Sequence, residues 1–194
     1  MVMSKAEVAT KRPKLGELVP LKQKVSKLSI ACGQNKPKGF KGIDLSGDAD
    51  IKWDLFKFPW PIESGCVREV ECSHFVEHIP LANTPDGRDL LCAFVDEMHR
   101  VLVAGGRATI ITPWYASVRA WQDPTHVRAF NENSWVYYCA WHWYLDWKDY
   151  RFEMKHLEFR LSKYGESLEL EQDELLRTPR AVDSMYVVLR KIPV

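Results

Sequence analysis

Short apolar runs that each stop at a glycine or a polar residue recur along this chain. A run of five or six residues bounded in this way is typical of a buried β-strand and is too short for an ordinary α-helix. The segments that we predict as strands are residues 28–32, 40–44, 51–55, 108–112, 156–161 and 185–190, together with 67–72, where apolar and polar residues alternate with period two.

One long helical pattern separates the fourth run from the fifth. Apolar residues of the segment 90–102 recur at the spacing of one helical face. Thr84 and Pro85 predict where this helix begins, and Gly105 with Gly106 predicts where it ends. Five strands around a crossover helix, followed by two late strands, predict an open α/β sheet. Ligands of such sheets bind beyond the carboxyl ends of the strands.

Length and charge exclude several classes of protein. A chain of 194 residues is long enough to bury one domain core, and its net charge of +1 gives no strong field for nucleic acid or membranes. No apolar run approaches the roughly 18 residues that a membrane span needs, and the N-terminus lacks the apolar core of a signal peptide. The five cysteines form no C-x-x-C pair, which favours reduced thiols and a cytoplasmic location.

The first 27 residues differ in charge from the rest. Seven of them are Lys or Arg and two are acidic, so this segment carries +5 while the remainder carries about −4 (20 basic against 24 acidic residues). We predict a basic, partly flexible N-terminal segment at 1–27 and a single domain at 28–194. The basic segment keeps nucleic acid as a possible but less favoured partner.

Residues at the strand ends point to an adenosine ligand. The first run ends at Gly33, where the backbone can approach a ligand closely, and the second ends at Asp44, whose carboxylate can accept both hydroxyls of a ribose. The segment 34–39 contains neither of the glycine patterns that cradle a diphosphate. An adenosine site without a phosphate cradle favours S-adenosylmethionine over a nicotinamide dinucleotide.

Two motifs make the resemblance specific. Leu28-x-x-Ala31-Cys32-Gly33, followed by Gly39-Phe40-x-Gly42-Ile43-Asp44, resembles the first motif and acidic second strand of the class I S-adenosylmethionine-dependent methyltransferases. The chain is most similar to a compact, type 11-like branch of that family, and the resemblance covers roughly residues 28–130. It implies a Rossmann-like sheet of seven strands, mostly parallel, with an antiparallel C-terminal hairpin at one edge. Further segments that match in order are 53–55, 58–61, 72–79, 97–102 and 111–113.

The resemblance also implies a role for each strand end. The backbone around Gly33 would approach the cofactor, Asp44 would hold the ribose, and the methionine end would lie at the end of the fourth strand. An alternative for Asp44 and Asp54 is that each caps a turn after its strand. The cofactor-binding residues implied are Ala31, Cys32, Gly33, Asp44, Leu45, Asp54, Leu55, Ser73 and His74.

The connections between the first strands are shorter than the family pattern. The connection 33–43 is too short for a crossover helix, so we predict reduced helices there and one bare face of the sheet. That face could be covered by the N-terminal segment, by the aromatic segment 133–147, which we predict to be helical, or by another subunit. A homo-oligomer is predicted on this ground.

A His-x-x-Glu-His pattern raises a different possibility. His74, Glu77 and His78 match the motif of the inverted zinc peptidases. That motif needs an established helix, whereas His74 follows a strand and Pro80 ends any helix within one or two turns. We therefore predict no metal site, and expect Glu77 and His78 to begin the next helix. His78 is either structural or catalytic, and His74 faces the cofactor pocket.

The loop after the fifth strand supplies the other candidate catalytic residues. A histidine can act as a general base, and His126 is the candidate here, with Asp123 to orient it. Arg128 or Arg119 could bind an anionic substrate. The alternative is a helix start with Asp123 as its N-cap. Side chains that could wall an acceptor pocket, or belong to the core, are Trp114, Tyr115, Trp121 and Trp135.

The function predicted from the sequence is methyl transfer from S-adenosylmethionine to an unidentified acceptor. No N-P-P-[YFW] tetrad and no proline-cysteine dipeptide is present to indicate a nucleobase acceptor. A small molecule or a glycan is favoured over nucleic acid, by the resemblance. The alternatives are a non-catalytic binding protein of the same fold and a nicotinamide-dependent oxidoreductase.

Overall fold

The computed structural model describes residues 24–45, 47–146 and 152–193. Its strands are β1 (Lys27–Ile30), β2 (Lys41–Asp44), β3 (Ile51–Lys52), β4 (Val67–Ser73), β5 (Leu102–Pro113), β6 (Phe152–Leu161) and β7 (Val182–Lys191). Its α-helices are α1 (Leu90–Val101), α2 (Arg119–Gln122), α3 (Lys163–Glu166) and α4 (Gln172–Arg177), with short 3-10 helices at Val76–His78, Ser134–Tyr138 and His142–Leu145. No helix within these ranges is long and apolar enough to cross a bilayer.

The seven strands form one mixed sheet in the order β3-β2-β1-β4-β5-β7-β6. The first five are parallel neighbours, while β7 runs antiparallel to both β5 and β6. This arrangement confirms the predicted seven-strand sheet with its antiparallel hairpin at one edge. The strand order reverses between β1 and β4, and in open α/β sheets such a switch point is where ligands bind.

Helix α1 covers one face of the sheet. Phe94, Val95 and Met98 are fully buried in the same core cluster as Val70 and Ile110 of the sheet. The predicted start of this helix was wrong. Thr84 closes a turn with Arg88, and the helix begins only at Leu90 because Asp89 accepts hydrogen bonds from the amides of Leu91 and Cys92.

The predicted end of α1 was also wrong. The helix ends at Val101, and Leu102 is already extended and paired with Val67 of β4. Gly105 and Gly106 lie inside β5, where the register against β4 shifts and Gly105 adopts a φ of +76°. The glycines therefore accommodate a bulge in a strand rather than the end of a helix.

The described connections between β1 and β4 contain no helix, which confirms that the crossovers are reduced. As a result, the face opposite α1 is a shallow groove, with Phe40 at one side and Thr109, Ile111 and Val188 on its floor. Most of the segment 1–27 lies outside the described residues, although Val25 is buried in the core.

The aromatic segment does not cover that groove. Trp135 stacks on Phe130 with ring centroids 5.3 Å apart, and the Tyr138 hydroxyl bonds the Cys92 thiol of α1. The segment therefore extends the layer formed by α1. The prediction of one helix over 133–147 was wrong, because only two short 3-10 helices form there and Trp147 lies outside the described residues.

Both edges of the sheet are poorly suited to pairing. Strand β3 is two residues long, and the opposite edge strand, β6, carries charged side chains at short intervals. Glu153 of β6 forms ion pairs with Lys155 and with Arg190 of β7, both at 2.5 Å.

Candidate functional site

The ends of β1 and β2 meet at the carboxyl edge of the sheet, as their parallel pairing requires. The Gly33 amide donates a hydrogen bond to Oδ2 of Asp44 over 3.0 Å. Gly33, whose backbone the sequence predicted to approach the cofactor, and Asp44, predicted to hold the ribose, are therefore in direct contact. The bond fixes the carboxylate at the mouth of the loop that follows β1.

The chain leaves β1 and β4 through left-handed backbone conformations. Ala31 has a φ of +52° and His74 a φ of +51°, although neither is a glycine. Such conformations cost about 1–2 kcal/mol per residue and concentrate at functional sites. Both residues flank the switch point of the sheet, since β1 and β4 are neighbours.

Cys32 contributes its backbone rather than its thiol to this edge. Its side chain is buried against Gly42, where an added Cβ would lie 2.4 Å from the Cys32 sulfur. Burial, and then the Asp44 carboxylate, raise the pKa of the thiol. The thiol therefore stays protonated and acts as packing, which explains why a glycine faces it on β2.

The predicted cofactor-binding residues Leu45, Asp54 and Leu55 differ in exposure and in hydrogen bonding. Leu45, which follows Asp44 in the chain, has a side chain that is 68% exposed. Leu55 is only 5% exposed and belongs to the core. Asp54 accepts a hydrogen bond from the Phe56 amide at 3.0 Å, so it caps the turn after β3, as the alternative interpretation proposed. Of these residues, Leu45 alone offers an exposed apolar side chain.

The residues after β4 form a polar cluster around a buried carboxylate. Glu77 lies in the 3-10 helix Val76–His78, and its Oε2 accepts a hydrogen bond from Thr112 of β5 over 3.1 Å. Nδ1 of His74 lies 3.3 Å from the other carboxylate oxygen. The predicted helix at Glu77 and His78 is thus a single 3-10 turn, because Ile79 is extended and Pro80 follows.

The loop after α2 brings His126 into this cluster. The amides of Val127 and Arg128 both donate to the Glu77 carbonyl, at 3.0 and 3.2 Å. The imidazoles of His126 and His78 consequently meet edge to face, with ring centroids 4.5 Å apart. His126 and His74, which the sequence predicted as catalytic residues in separate segments, therefore lie on either side of Glu77.

Asp123 does not orient His126 by a direct hydrogen bond. Its Oδ2 is 3.9 Å from Nε2 of His126, while its Oδ1 accepts from the hydroxyl and the amide of Thr125 at 2.7 and 2.8 Å. These bonds from Thr125 lower the pKa of Asp123. His126 is held by the Ala120 carbonyl, 3.1 Å from its Nδ1. The helix-start interpretation was wrong too, since Asp123 is the C-cap of α2.

The two candidate arginines have structural partners. Arg128 donates to the carbonyls of Ile79 and Pro80 and forms an ion pair with Asp89. Arg119 pairs with Asp183 of β7 at 2.8 Å. Arg128 thus fastens the His126 loop to the segment after Glu77, a role that its sequence position alone did not indicate.

The four candidate aromatic side chains divide evenly between core and surface. Trp114 and Trp135 are buried members of the core cluster. Tyr115 and Trp121 are exposed at the carboxyl edge, and the Trp121 indole donates to the Tyr115 carbonyl over 2.9 Å. Only Tyr115 and Trp121 are therefore available to contact an acceptor.

Solved structures with the same fold include several methyltransferases. A SAM-dependent methyltransferase from Archaeoglobus fulgidus is 18% identical, with a TM-score of 0.59 and 86% of each chain covered. The geranyl diphosphate C-methyltransferase of Streptomyces coelicolor, crystallised with Mg2+, geranyl diphosphate and S-adenosyl-L-homocysteine, is 13% identical, with a TM-score of 0.53 and coverage of 87% of this chain and 72% of that one. The cyclase SpnF is 13% identical, with a TM-score of 0.56 and coverage of 90% and 77%.

These similarities show that the chain has the fold of the S-adenosylmethionine-dependent methyltransferases, as the sequence motifs predicted. No protein-family model matches the chain, and no curated protein matches it. The fold therefore rests on the three-dimensional arrangement of the strands and not on sequence identity.

Proposed function

We propose that this protein binds S-adenosylmethionine at the carboxyl edge of β1, β2 and β4 and transfers its methyl group to a small-molecule or glycan acceptor. The observation that carries the proposal is the contact between Gly33 and Asp44 at the ends of β1 and β2, beside the switch point of a methyltransferase-type sheet. The similar geranyl diphosphate C-methyltransferase was crystallised with S-adenosyl-L-homocysteine and a small-molecule substrate, which supports both the cofactor and the acceptor class.

The residues present at this edge suit the cofactor. The Asp44 carboxylate would accept the ribose hydroxyls, and the exposed Leu45 side chain next to it would offer an apolar surface to adenine. Gly33 has open space where a side chain would stand, so the cofactor can approach its backbone. Ser73 and His74, at the end of β4, are left for the methionine end.

The bound cofactor supplies an electrophilic methyl group, so alignment and exclusion of water account for much of the rate. A base is needed only for an acceptor whose proton has a high pKa. We assign that role to His74, whose half-exposed imidazole follows β4 directly. His126 lies deeper, with its Nδ1 held by the Ala120 carbonyl, and is less accessible to an acceptor.

Calorimetric titration of the purified chain with S-adenosylmethionine, S-adenosylhomocysteine and NAD tests the cofactor. We expect both adenosyl ligands to bind and NAD not to bind, and Asp44→Ala to abolish binding. Asp48→Ala, a change of an exposed acid in the following loop, is the matched control and should bind normally. If a well-folded sample bound neither adenosyl ligand, the proposed methyltransferase activity would be refuted.

Transfer of labelled methyl groups to a panel of small molecules and glycans tests the reaction. Cofactor binding without turnover on any acceptor would favour the non-catalytic alternative. The similarity to SpnF, which is described as a cyclase, makes this second assay necessary, because this fold is shared by a protein named for another activity.

A further inference from the structure

The cluster around Glu77 has a feature that cofactor binding does not explain. One carboxylate oxygen of Glu77 and one ring nitrogen each of His78 and His126 lie within 4.8 Å of one another. We propose that these three side chains form a binding site for a divalent transition-metal cation. The ligands come from two segments, the 3-10 helix after β4 and the loop after α2.

The state of Glu77 is the first argument. Its side chain is 2% exposed, and its Oε2 accepts the Thr112 hydroxyl. Its Oε1 is fully buried and has no hydrogen-bond partner among the described residues, since the contact with His74 at 3.3 Å lacks hydrogen-bond geometry. An unsatisfied carboxylate oxygen is costly to bury, and a bound cation would compensate it.

The orientation of His78 is the second argument. The Thr125 hydroxyl has a single hydrogen, which it donates to Asp123 over 2.7 Å. The same hydroxyl lies 3.0 Å from Nδ1 of His78 and must therefore accept a hydrogen from it. His78 consequently carries its proton on Nδ1, and its Nε2 is the nitrogen left to bind a cation.

His126 is oriented in the same way by a different partner. The Ala120 carbonyl, 3.1 Å from Nδ1 of His126, can only accept a hydrogen bond, so Nδ1 carries a proton here too. Metal-ligating histidines characteristically donate their second ring N–H to a carboxylate, a backbone carbonyl or water. His126 does so directly, and His78 reaches the Asp123 carboxylate through the Thr125 hydroxyl. Both histidines meet this condition before any cation binds. The carboxylate of Asp123, 3.9 Å from Nε2 of His126, adds negative charge nearby.

The donor set defines the class of cation. Two imidazoles and one carboxylate suit Zn²⁺, Fe²⁺ or Mn²⁺, whereas Mg²⁺ and Ca²⁺ prefer oxygen ligands. Three protein ligands leave coordination positions open, as in catalytic metal sites. The following inference about the acceptor rests on the proposed methyl transfer. An open coordination position of the cation next to His74 would suit an acceptor that carries a hydroxyl or carboxylate oxygen. His126 would then not act as a general base, because its Nε2 binds the cation.

Metal binding can be measured without turnover. The full chain, stripped with a chelator, is titrated separately with Zn²⁺, Mn²⁺ and Mg²⁺ in a calorimeter, and Co²⁺ is added to record the absorption bands of histidine coordination. We expect one equivalent of Zn²⁺ or Mn²⁺ to bind and Mg²⁺ to bind far more weakly. His126→Gln, His78→Gln and Glu77→Gln should each weaken binding more than about tenfold, and Thr125→Val about tenfold through the lost orientation of His78.

His156→Gln is the matched control, because His156 lies 3.3 Å from Glu158 on the exposed face of β6 and forms an ordinary surface histidine–carboxylate pair. It should bind metal like the unmodified protein. Binding of S-adenosylhomocysteine and circular dichroism are recorded on every variant. Loss of metal with retained adenosyl binding supports the site. Absence of stoichiometric binding, or equal binding by all the variants, would overturn it and leave a hydrogen-bonded cluster, whether or not the cofactor binds.

Discussion

Nη2 of Arg128 lies 3.0 Å from Oδ2 of Asp89 and thereby joins the loop that carries His126 to the first turn of α1. Asp89 is also the N-cap of that helix, so one carboxylate accepts hydrogen bonds from the helix and from the loop. The arginine in turn holds the carbonyls of Ile79 and Pro80. The position of His126 in the cluster around Glu77 therefore depends on the first turn of α1.

Replacing Arg128 should loosen this connection. We expect Arg128→Met to lower the free energy of unfolding by about 1–3 kcal/mol, because the carbonyls of Ile79 and Pro80 and the Asp89 carboxylate lose their donor. Urea unfolding measures the change. Arg119→Met, which removes an exposed ion pair with Asp183, should cost less than about 1 kcal/mol. Equal effects of the two changes would contradict the role given to Arg128.

Low pH should weaken the contacts of the Asp89 carboxylate with Arg128 and with the first turn of α1. Burial raises the pKa of Asp89, but the hydrogen bond from Arg128 and the amides of Cys92 and Leu91 outweigh it, and the net pKa is lowered. The carboxylate therefore stabilises the fold above its unfolded pKa of about 3.9, and this contribution is lost as the pH falls through the lower folded value. Asp89→Asn keeps a cap but should show a smaller loss of stability between neutral pH and pH 3, measured as urea midpoints.

The left-handed conformation of Ala31 predicts an unusual response to glycine. Ala31→Gly should leave stability unchanged or raise it by up to about 1 kcal/mol, because glycine adopts a positive φ without strain. Ala129→Gly, at an exposed position without a positive φ, should instead lower stability by about 0.5–1 kcal/mol. Thermal unfolding of both variants tests this. If Ala31→Gly lost as much stability as Ala129→Gly, the positive φ of Ala31 would not be a source of strain.

Glu97 of α1 anchors the segment before β4. Its Oε1 accepts from the Trp60 amide over 2.5 Å, and both its oxygens pair with Arg100 at 2.7 Å. Glu97→Ala should lower the free energy of unfolding by about 2–4 kcal/mol, because it leaves a buried amide and a guanidinium without their acceptor. Glu97→Gln keeps one acceptor and should lose less. Glu166→Ala, on the surface, is the control for removal of a carboxylate.

Leu45 tests the adenine side of the proposed cofactor site. Leu45→Ala should weaken S-adenosylhomocysteine binding by about 1 kcal/mol, roughly fivefold in Kd, through lost apolar contact. Stability should hardly change, because the side chain is exposed. Leu170→Ala, another exposed leucine that lies between α3 and α4, should affect neither property. Calorimetric titration of both variants with S-adenosylhomocysteine measures the difference. Unchanged affinity in Leu45→Ala would show that Leu45 does not contact the cofactor.

The positions of all seven strands could be predicted from the sequence, because each contains a short apolar or alternating run with a clear stop. Their bounds could not, since β3 ends at Lys52 rather than at residue 55, and β5 and β6 begin six and four residues before the predicted runs. The boundaries of α1 could not, since Thr84-Pro85 has the form of a helix start while the cap comes from Asp89, whose role depends on the Arg128 loop. The spacing of Asp123 and His126 suggested a contact, but Thr125 takes the carboxylate first.

The meeting of His126 with Glu77 depends on how the chain between them folds, and no local pattern predicts it. The His-x-x-Glu-His motif did mark two of the proposed ligands, Glu77 and His78. It failed to indicate the third because that motif presumes a helix, whereas these residues form one 3-10 turn and the third ligand arrives from another loop.

The two edges of the sheet bear on how concentrated solutions of this protein should behave. A neighbouring molecule that tried to continue the sheet would find only two residues to pair with at β3, and at β6 a row of charges that must lose their water. Growth of fibres by strand addition is therefore unfavourable at either end. Association at high concentration should instead be reversible and proceed through side chains, for which the exposed rings of Trp141, Trp143 and Tyr144 are available on the described surface.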